Sequence, residues 1–357
     1  MKIHEIYIKR AIQLAKNGLG NTYPNPMVGC VIVANNKIIG EGFTSPAGQN
    51  HAEVNAIESV KDKSLLKVAT LYVTLEPCSH YGKTPPCADL IVNSKIPTVV
   101  IGTMDTNVEV SGRGVQKLSA AGIDVILGTL EEQCVALNKR FFSVQEKKRP
   151  FIILKWAQTS DLYISPDKTQ GEPAPFWITN VYSRQLVHKW RTEEQAILVG
   201  TQTVISDNPK LSARDWKGNH PIRIVLDANL RTPRQLHLWD DSIPTIFITS
   251  ANQVSPKELY TQTSFEPIDF SKHIAEQIIT ILYKHKIQSV LIEGGTKTLQ
   301  TFINSGLWDE ARVFTSIENL GKGTKAPVLQ NYKSSLQFKL NQDTVNYYEP
   351  LAREDTL

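Results

Sequence analysis

Apolar and polar positions along this chain form short apolar runs separated by amphipathic stretches, the pattern of strands alternating with helices. Near the start, Ile8, Ile12 and Ala15 recur at helical spacing, with Glu5, Lys9, Arg10 and Lys16 between them. That spacing predicts an amphipathic helix, and the charges interrupt any signal-peptide core. VGCVIVA (28–34) reads as a buried strand and KIIGEGF (37–43) as its hairpin partner, joined by a tight turn at Asn35-Asn36. A loop containing Pro46 and Gly48 leads into a helix over 52–60. Strand 69–75, helix 86–95, strand 98–102, helix 112–121, strand 123–127 and helix 130–143 complete the unit. Two antiparallel strands followed by β–α alternation predict an α/β/α sandwich with its site at the carboxyl ends of the strands.

QEKKRP (145–150) is polar and ends in proline, which predicts a solvated linker and places the domains at 1–147 and 148–357. The second half predicts strand 151–157, helix 181–192, strand 196–200, a helical or turning 201–209, and strands 221–228 and 243–250. Residues 251–271 have little periodicity and predict no element. Helix 273–285, strand 289–295, helix 297–305, strand 310–317 and a C-terminal pair of strands follow. No internal repeat is evident.

A length of 357 residues suits two domains, and 41% hydrophobic with 21% charged residues is ordinary globular composition. The formal charge of +4, without a clustered basic face, accommodates a small anionic substrate and argues against nucleic acid. No stretch approaches about 18 apolar residues, so no membrane span is expected. The four cysteines are too few for a disulfide framework. Cys30 and Cys134, in apolar contexts, are expected to be buried free thiols in a cytoplasmic protein.

The chemistry concentrates between residues 51 and 87. His51, Cys78 and Cys87 supply one imidazole and two thiolates, a set that holds Zn²⁺ and leaves its fourth position open. Glu53, two residues beyond His51, is placed to shuttle protons. The order matches the H-x-E then P-C signature of zinc deaminases, although eight residues separate the cysteines where that signature has two. Pro85-Pro86 predicts a helix start at Cys87, where a thiolate is favoured. Asn25, in the loop before the first strand, is a candidate substrate contact or a turn residue. His80 and Lys83, between the cysteines, are candidates beside the metal. In the second half, Glu293-Gly294-Gly295-Thr296 follows a strand and opens a helix, where backbone amides can meet a pyrophosphate or simply make a turn.

TYPNPMVGCVIV, HAE and EPCSHYGKTPPC resemble the deaminase half of the bifunctional deaminase–reductases of riboflavin biosynthesis. LKWAQTSD, WIT, HKWR, VGTQTVISDNPKLSAR and IEGGTKTL resemble the reductase half. The resemblance covers nearly the whole chain. It implies a cytidine-deaminase-like sandwich followed by a dihydrofolate-reductase-like α/β domain. It implies Zn²⁺ and NADPH as cofactors, and a pyrimidine ribose phosphate as the small-molecule substrate. It also implies Asn107 near the substrate of the first domain. In the second, Gln158, Trp177, Thr203, Asp207 and Gly295 would lie along the cofactor; Lys155, Arg191, Leu211, Arg214 and Glu293 would face the substrate. Arginines there suit a ribose phosphate, which a planar fork grips bidentately. A homo-oligomer is expected. The sequence departs from the family pattern at Leu162, where glycine is usual, at Pro175, where serine is common, and in SIENLG (316–321). A deaminase with a degenerate C-terminal module is therefore the second reading, and a nucleic-acid base deaminase the third.

Overall fold

A computed structural model describes residues 2–81, 85–106, 111–167, 174–253 and 260–351. The chain divides into two compact units, Met1–Lys148 and Arg149–Leu357.

Unit 1 runs α1 (Lys2–Ala15), β1 (Gly29–Ala34), β2 (Lys37–Phe43), α2 (Ala52–Ser59), β3 (Thr70–Leu75), α3 (Cys87–Asn93), β4 (Thr98–Thr103), α4 (Arg113–Ala120), β5 (Asp124–Leu127), α5 (Glu131–Leu137) and α6 (Lys139–Lys147). Its sheet has the order β2-β1-β3-β4-β5, antiparallel at both β1 pairings and parallel from β3 onward. β1 is buried at every position because helices cover both faces of the sheet. One face packs on Ala56, Ile91 and Leu118, and the other on Ile8, Ile12 and Leu137. Asn35 and Asn36 both take positive φ, 51° and 60°, as a primed hairpin turn requires. Cys30 and Cys134 are buried free thiols, as expected.

The single helix expected over 130–143 is two. Asn138 interrupts it at φ −106° and ψ 25°. Its side chain accepts from the Met27 amide at 2.8 Å and donates to the Met27 carbonyl at 2.9 Å, pairing like a ladder rung. The expected solvated linker is also partly structured. α6 continues through Lys147, and Arg149 grips Asp309 with both Nη atoms, Nη2 at 2.7 Å.

Unit 2 comprises β6 (Phe151–Gln158), β7 (Tyr163–Ser165), α7 (Val181–Glu193), β8 (Ala196–Gly200), α8 (Thr201–Asp207), β9 (Ile222–Leu226), β10 (Thr245–Ser250) and β11 (Thr263–Ile268). It continues with α9 (Ile274–Lys284), β12 (Ser289–Ile292), α10 (Thr296–Ser305), β13 (Glu310–Thr315), β14 (Thr324–Lys325), β15 (Tyr332–Leu340) and β16 (Asp343–Pro350). The main sheet is ordered β11-β10-β9-β8-β12-β6-β13-β16-β15. It is parallel from β11 to β13 and closes with the antiparallel β16 and β15. β11 lies in the stretch where the sequence predicts nothing. It is an edge strand with half its positions outside the core and Pro267 within it, so no apolar run marks it.

Leu162 stands at φ 67°, a left-handed conformation that glycine adopts without strain. The turn persists because the Asp161 carboxylate accepts from the Leu320 and Gly321 amides, at 3.1 and 2.7 Å. The departures at 162 and 316–321 thus meet in one bonded turn.

Candidate active sites

Three element ends converge in unit 1. β3 carries the chain to Glu76-Pro77-Cys78, His51 caps the N-terminus of α2, and Cys87 is the first residue of α3. His51 Nδ1 lies 3.6 Å from Cys78 Sγ and 3.4 Å from Cys87 Sγ, and the three ligand atoms all fall within 4.8 Å of one another. Tetrahedral zinc, with bonds of about 2.3 Å to sulfur and about 2.0–2.1 Å to nitrogen, requires nitrogen–sulfur separations of about 3.6 Å. The donor set fits the ion.

The Cys87 amide also donates to Cys78 Sγ at 3.3 Å. Hydrogen bonding from Cys87, ahead of that from His51, holds the Cys78 pKa well below the ordinary thiol range against the opposing effect of burial, while Cys87 is pushed the other way. A divalent cation between the two sulfurs would bind both as thiolates. Glu53, in the first turn of α2, is buried. Burial, then the negative charge of Cys78, raises its carboxyl pKa to about 7.

These residues open on a cavity of about 390 Å³, ample for a pyrimidine ring. Asn25 and His80 line it. Lys83 and Asn107 lie outside the described residues. Asp105, Phe141 and Gln145 also line the cavity without having been singled out. Gln145 stood in the presumptive linker, and only the extension of α6 reveals it.

In unit 2 the structure gathers part of the expected set. Glu293, just past β12, accepts from Arg191 Nε and Nη2 at 2.8 and 2.9 Å and lies 3.5 Å from Lys155 Nζ. Arg191 also donates through Nη1 to the Ser212 carbonyl at 3.1 Å. The fork assigned to a phosphate is therefore already engaged by a carboxylate. Burial pulls the Lys155 pKa down, and Arg191 adds to that pull against the attraction of Glu293. Leu211 is buried at φ 55°, and Arg214 is half-exposed with Nε 3.9 Å from Asp215. His188, which sequence reasoning passed over, is buried with Nε2 3.1 Å from Asp215. Burial, then Arg191 and Arg214, lowers its pKa to about 4.

Gly295 precedes α10 at φ 65° and ψ 135°, and a Cβ there would come 3.3 Å from Thr203 Oγ1. β8 and β12 are parallel neighbours, and each feeds directly into a helix. That cradle fits the pyrophosphate of a dinucleotide. Asp207 ends α8, the helix that contains Thr203. Gln158 accepts from Trp156 Nε1 at 2.7 Å, and Trp177 is half-exposed beneath the Arg184 guanidinium, 4.8 Å from the ring centre.

Fold and sites together define a chain that joins a zinc-type deaminase domain to a dihydrofolate-reductase-like domain. Residues 1–103 match the family described as "Cytidine and deoxycytidylate deaminase zinc-binding region", and residues 150–346 match "RibD C-terminal domain". The chain is 40% identical over 324 residues to riboflavin biosynthesis protein RibD of Aquifex aeolicus, covering 90% of this chain and 89% of the relative. It is 33% identical to RibD of Escherichia coli, covering 95% of each. The crystal structure of a diaminohydroxyphosphoribosylaminopyrimidine deaminase/5-amino-6-(5-phosphoribosylamino)uracil reductase from Thermotoga maritima superposes with a TM-score of 0.88 at 38% identity, covering 98% of this chain and 99% of that one. This chain belongs to the bifunctional deaminase–reductase family of riboflavin biosynthesis. No helix among the described residues is long and apolar enough to cross a membrane.

Proposed function

We propose that unit 1 hydrolytically deaminates 2,5-diamino-6-ribosylamino-4(3H)-pyrimidinone 5′-phosphate and that unit 2 then reduces its ribosyl group to ribityl with NADPH. His51, Cys78 and Cys87 would hold Zn²⁺, which supplies a hydroxide nucleophile at neutral pH. Glu53 takes one proton from the attacking water and passes it to the ring nitrogen, then carries that water's second proton to the amino group, which leaves as ammonia. A carboxyl buried beside the reacting centre can serve in turn as acceptor and donor. Asn25, His80 and Asp105 offer hydrogen-bonding groups to the pyrimidine from the cavity wall. Lys83 and Asn107 are carried in the same role from the family pattern.

In unit 2, NADPH supplies the hydride, and the Gly295–Thr203 cradle would receive its pyrophosphate. Gln158, Trp177 and Asp207 complete the cofactor contacts in this reading. Lys155 pairs with Glu293, which Arg191 also grips, and in this reading these three with Leu211 and Arg214 would position the sugar phosphate. The intact Lys155–Arg191–Glu293 cluster favours a working reductase over a degenerate module. The same reading makes the protein a cytoplasmic homo-oligomer, which light scattering on the purified chain tests.

The observation that carries the deaminase assignment is the buried Glu53 carboxyl opening on the same cavity as His51 and Cys78. Glu53→Gln preserves the shape and removes the proton acceptor. Zinc should remain at one per chain while deamination falls by about 10²–10⁴-fold. Reduction of the already deaminated substrate should survive. A zinc-loaded variant that deaminates at the wild-type rate would refute the role.

A further inference from the structure

Glu76 has no part in the scheme above, yet its carboxylate is among the most heavily bonded groups in unit 1. It is buried, one residue past β3, and its amide donates to the Thr103 carbonyl at 3.0 Å, which docks it on the end of β4. Its side chain crosses to the next β–α connection. Oε2 accepts from the amides of Asp105 at 3.3 Å and Gly112 at 3.1 Å. Oε1 accepts from those of Gly114 at 2.9 Å and Val115 at 3.2 Å. Four N–H donors converging on one group require an acceptor-only side chain, and ionised Asp or Glu alone among side chains offers two such oxygens.

Two of these donors belong to the first turn of α4, whose own N-cap, Gly112, has no side chain to offer. The carboxylate also lies where the helix dipole favours negative charge. The other two donors, on Asp105 and Gly112, flank residues 107–110 in the sequence. The approach is close. A Cβ on Gly114 would fall 2.1 Å from the Pro77 carbonyl oxygen and 3.1 Å from Glu76 Oε1, so only glycine permits this packing.

Asp105 lines the substrate cavity, while Cys78, two residues past Glu76, is a proposed zinc ligand. We propose that Glu76 is a positioning residue for deamination: it locks the Asp105 wall of the cavity to the chain segment that carries the metal ligand. This rests on the reading of unit 1 as a deaminase. It makes the distance between the reacting centre and the recognition wall a property of one side chain. A wall displaced from the reacting centre grips the bound substrate less well, a loss that is read in KM.

The test is Glu76→Gln in the full-length, zinc-loaded chain. Glutamine keeps one acceptor oxygen and turns an NH₂ group towards amides that need an acceptor. KM for the diaminopyrimidine phosphate should rise at least tenfold, with zinc still at one per chain and reduction of the deaminated substrate unchanged. Hydrogen exchange at the amides of residues 105, 112, 114 and 115 should accelerate. Gly114→Ala disturbs the same contact from the other side and should give the same KM rise. A KM within twofold of wild type in both variants overturns the proposal, whatever happens to melting temperature, because a structural role alone reduces the amount of active enzyme and not its affinity. Loss of zinc in both also overturns it, placing Glu76 in support of the metal rather than the wall. If the wild-type chain does not turn over this compound, the deaminase reading falls. Unchanged exchange at the four amides would then separately dispose of the role of Glu76.

Discussion

Replacing Glu293 with glutamine removes one negative charge and leaves two cations with nothing between them. In the native unit the carboxylate is flanked by Arg191 and Lys155, and the three side chains are 8, 11 and 14% exposed. Burial would raise the Glu293 pKa, but the charges of Arg191 and then Lys155 outweigh it and hold the value at about 2, against an ordinary 4.5. At about 1.4 kcal/mol per pKa unit, that depression stabilises the fold by about 3 kcal/mol at neutral pH. Removing one partner of a buried ion pair costs about 3–5 kcal/mol, an independent route to the same size. Because the folded pKa is the depressed one, the contribution is complete above the unfolded pKa and fades as pH falls from about 4.5 towards 2. Linkage leaves less than half of it at pH 3.

All six tryptophans lie in the second unit, so indole fluorescence follows its unfolding without a signal from the first. Urea titrations of the wild-type chain and Glu293→Gln should therefore differ by about 3 kcal/mol at pH 7 and by less than half of that at pH 3. A difference below about 1 kcal/mol at pH 7, or one that does not shrink on acidification, would refute the electrostatic account of this cluster.

Two further outcomes are expected. Cys78→Ala or Cys87→Ala should each abolish stoichiometric zinc, measured by elemental analysis of purified protein, because a catalytic site needs three protein ligands. Asn138→Ala should cost about 1–3 kcal/mol by leaving the Met27 amide and carbonyl unpaired in the interior. Calorimetry should place that loss in the transition that carries no tryptophan signal.

The zinc set could be read from the sequence because each ligand falls at an element end that local pattern marks. An apolar run finishes before Glu76-Pro77-Cys78, Pro85-Pro86 announces α3, and a loop with Pro46 and Gly48 delivers His51 to α2. Periodicity locates such ends, and fold topology brings them together. What escaped reading is decided by partners distant in sequence. The apolar spacing from 130 to 143 is continuous, and the helix breaks only because Asn138 bonds to Met27, 111 residues earlier. The fork of Arg191 suits a phosphate on its residue type alone, yet a carboxylate 102 residues later occupies it.

Glu76 is the sharpest case. A glutamate before Pro-Cys carries no spacing signal, and its four donors lie 29 to 39 residues downstream. The glycines that meet it, in SGRG at 111–114, read as an ordinary turn until the carboxylate is placed beside them. The ligands of a metal must be near one another in every fold that uses them, so their residue types alone betray them. A group that aligns the site through backbone amides can be supplied by any acceptor that the topology brings within reach. Positioning residues therefore emerge from the structure, through the backbone amides that the topology gathers around them.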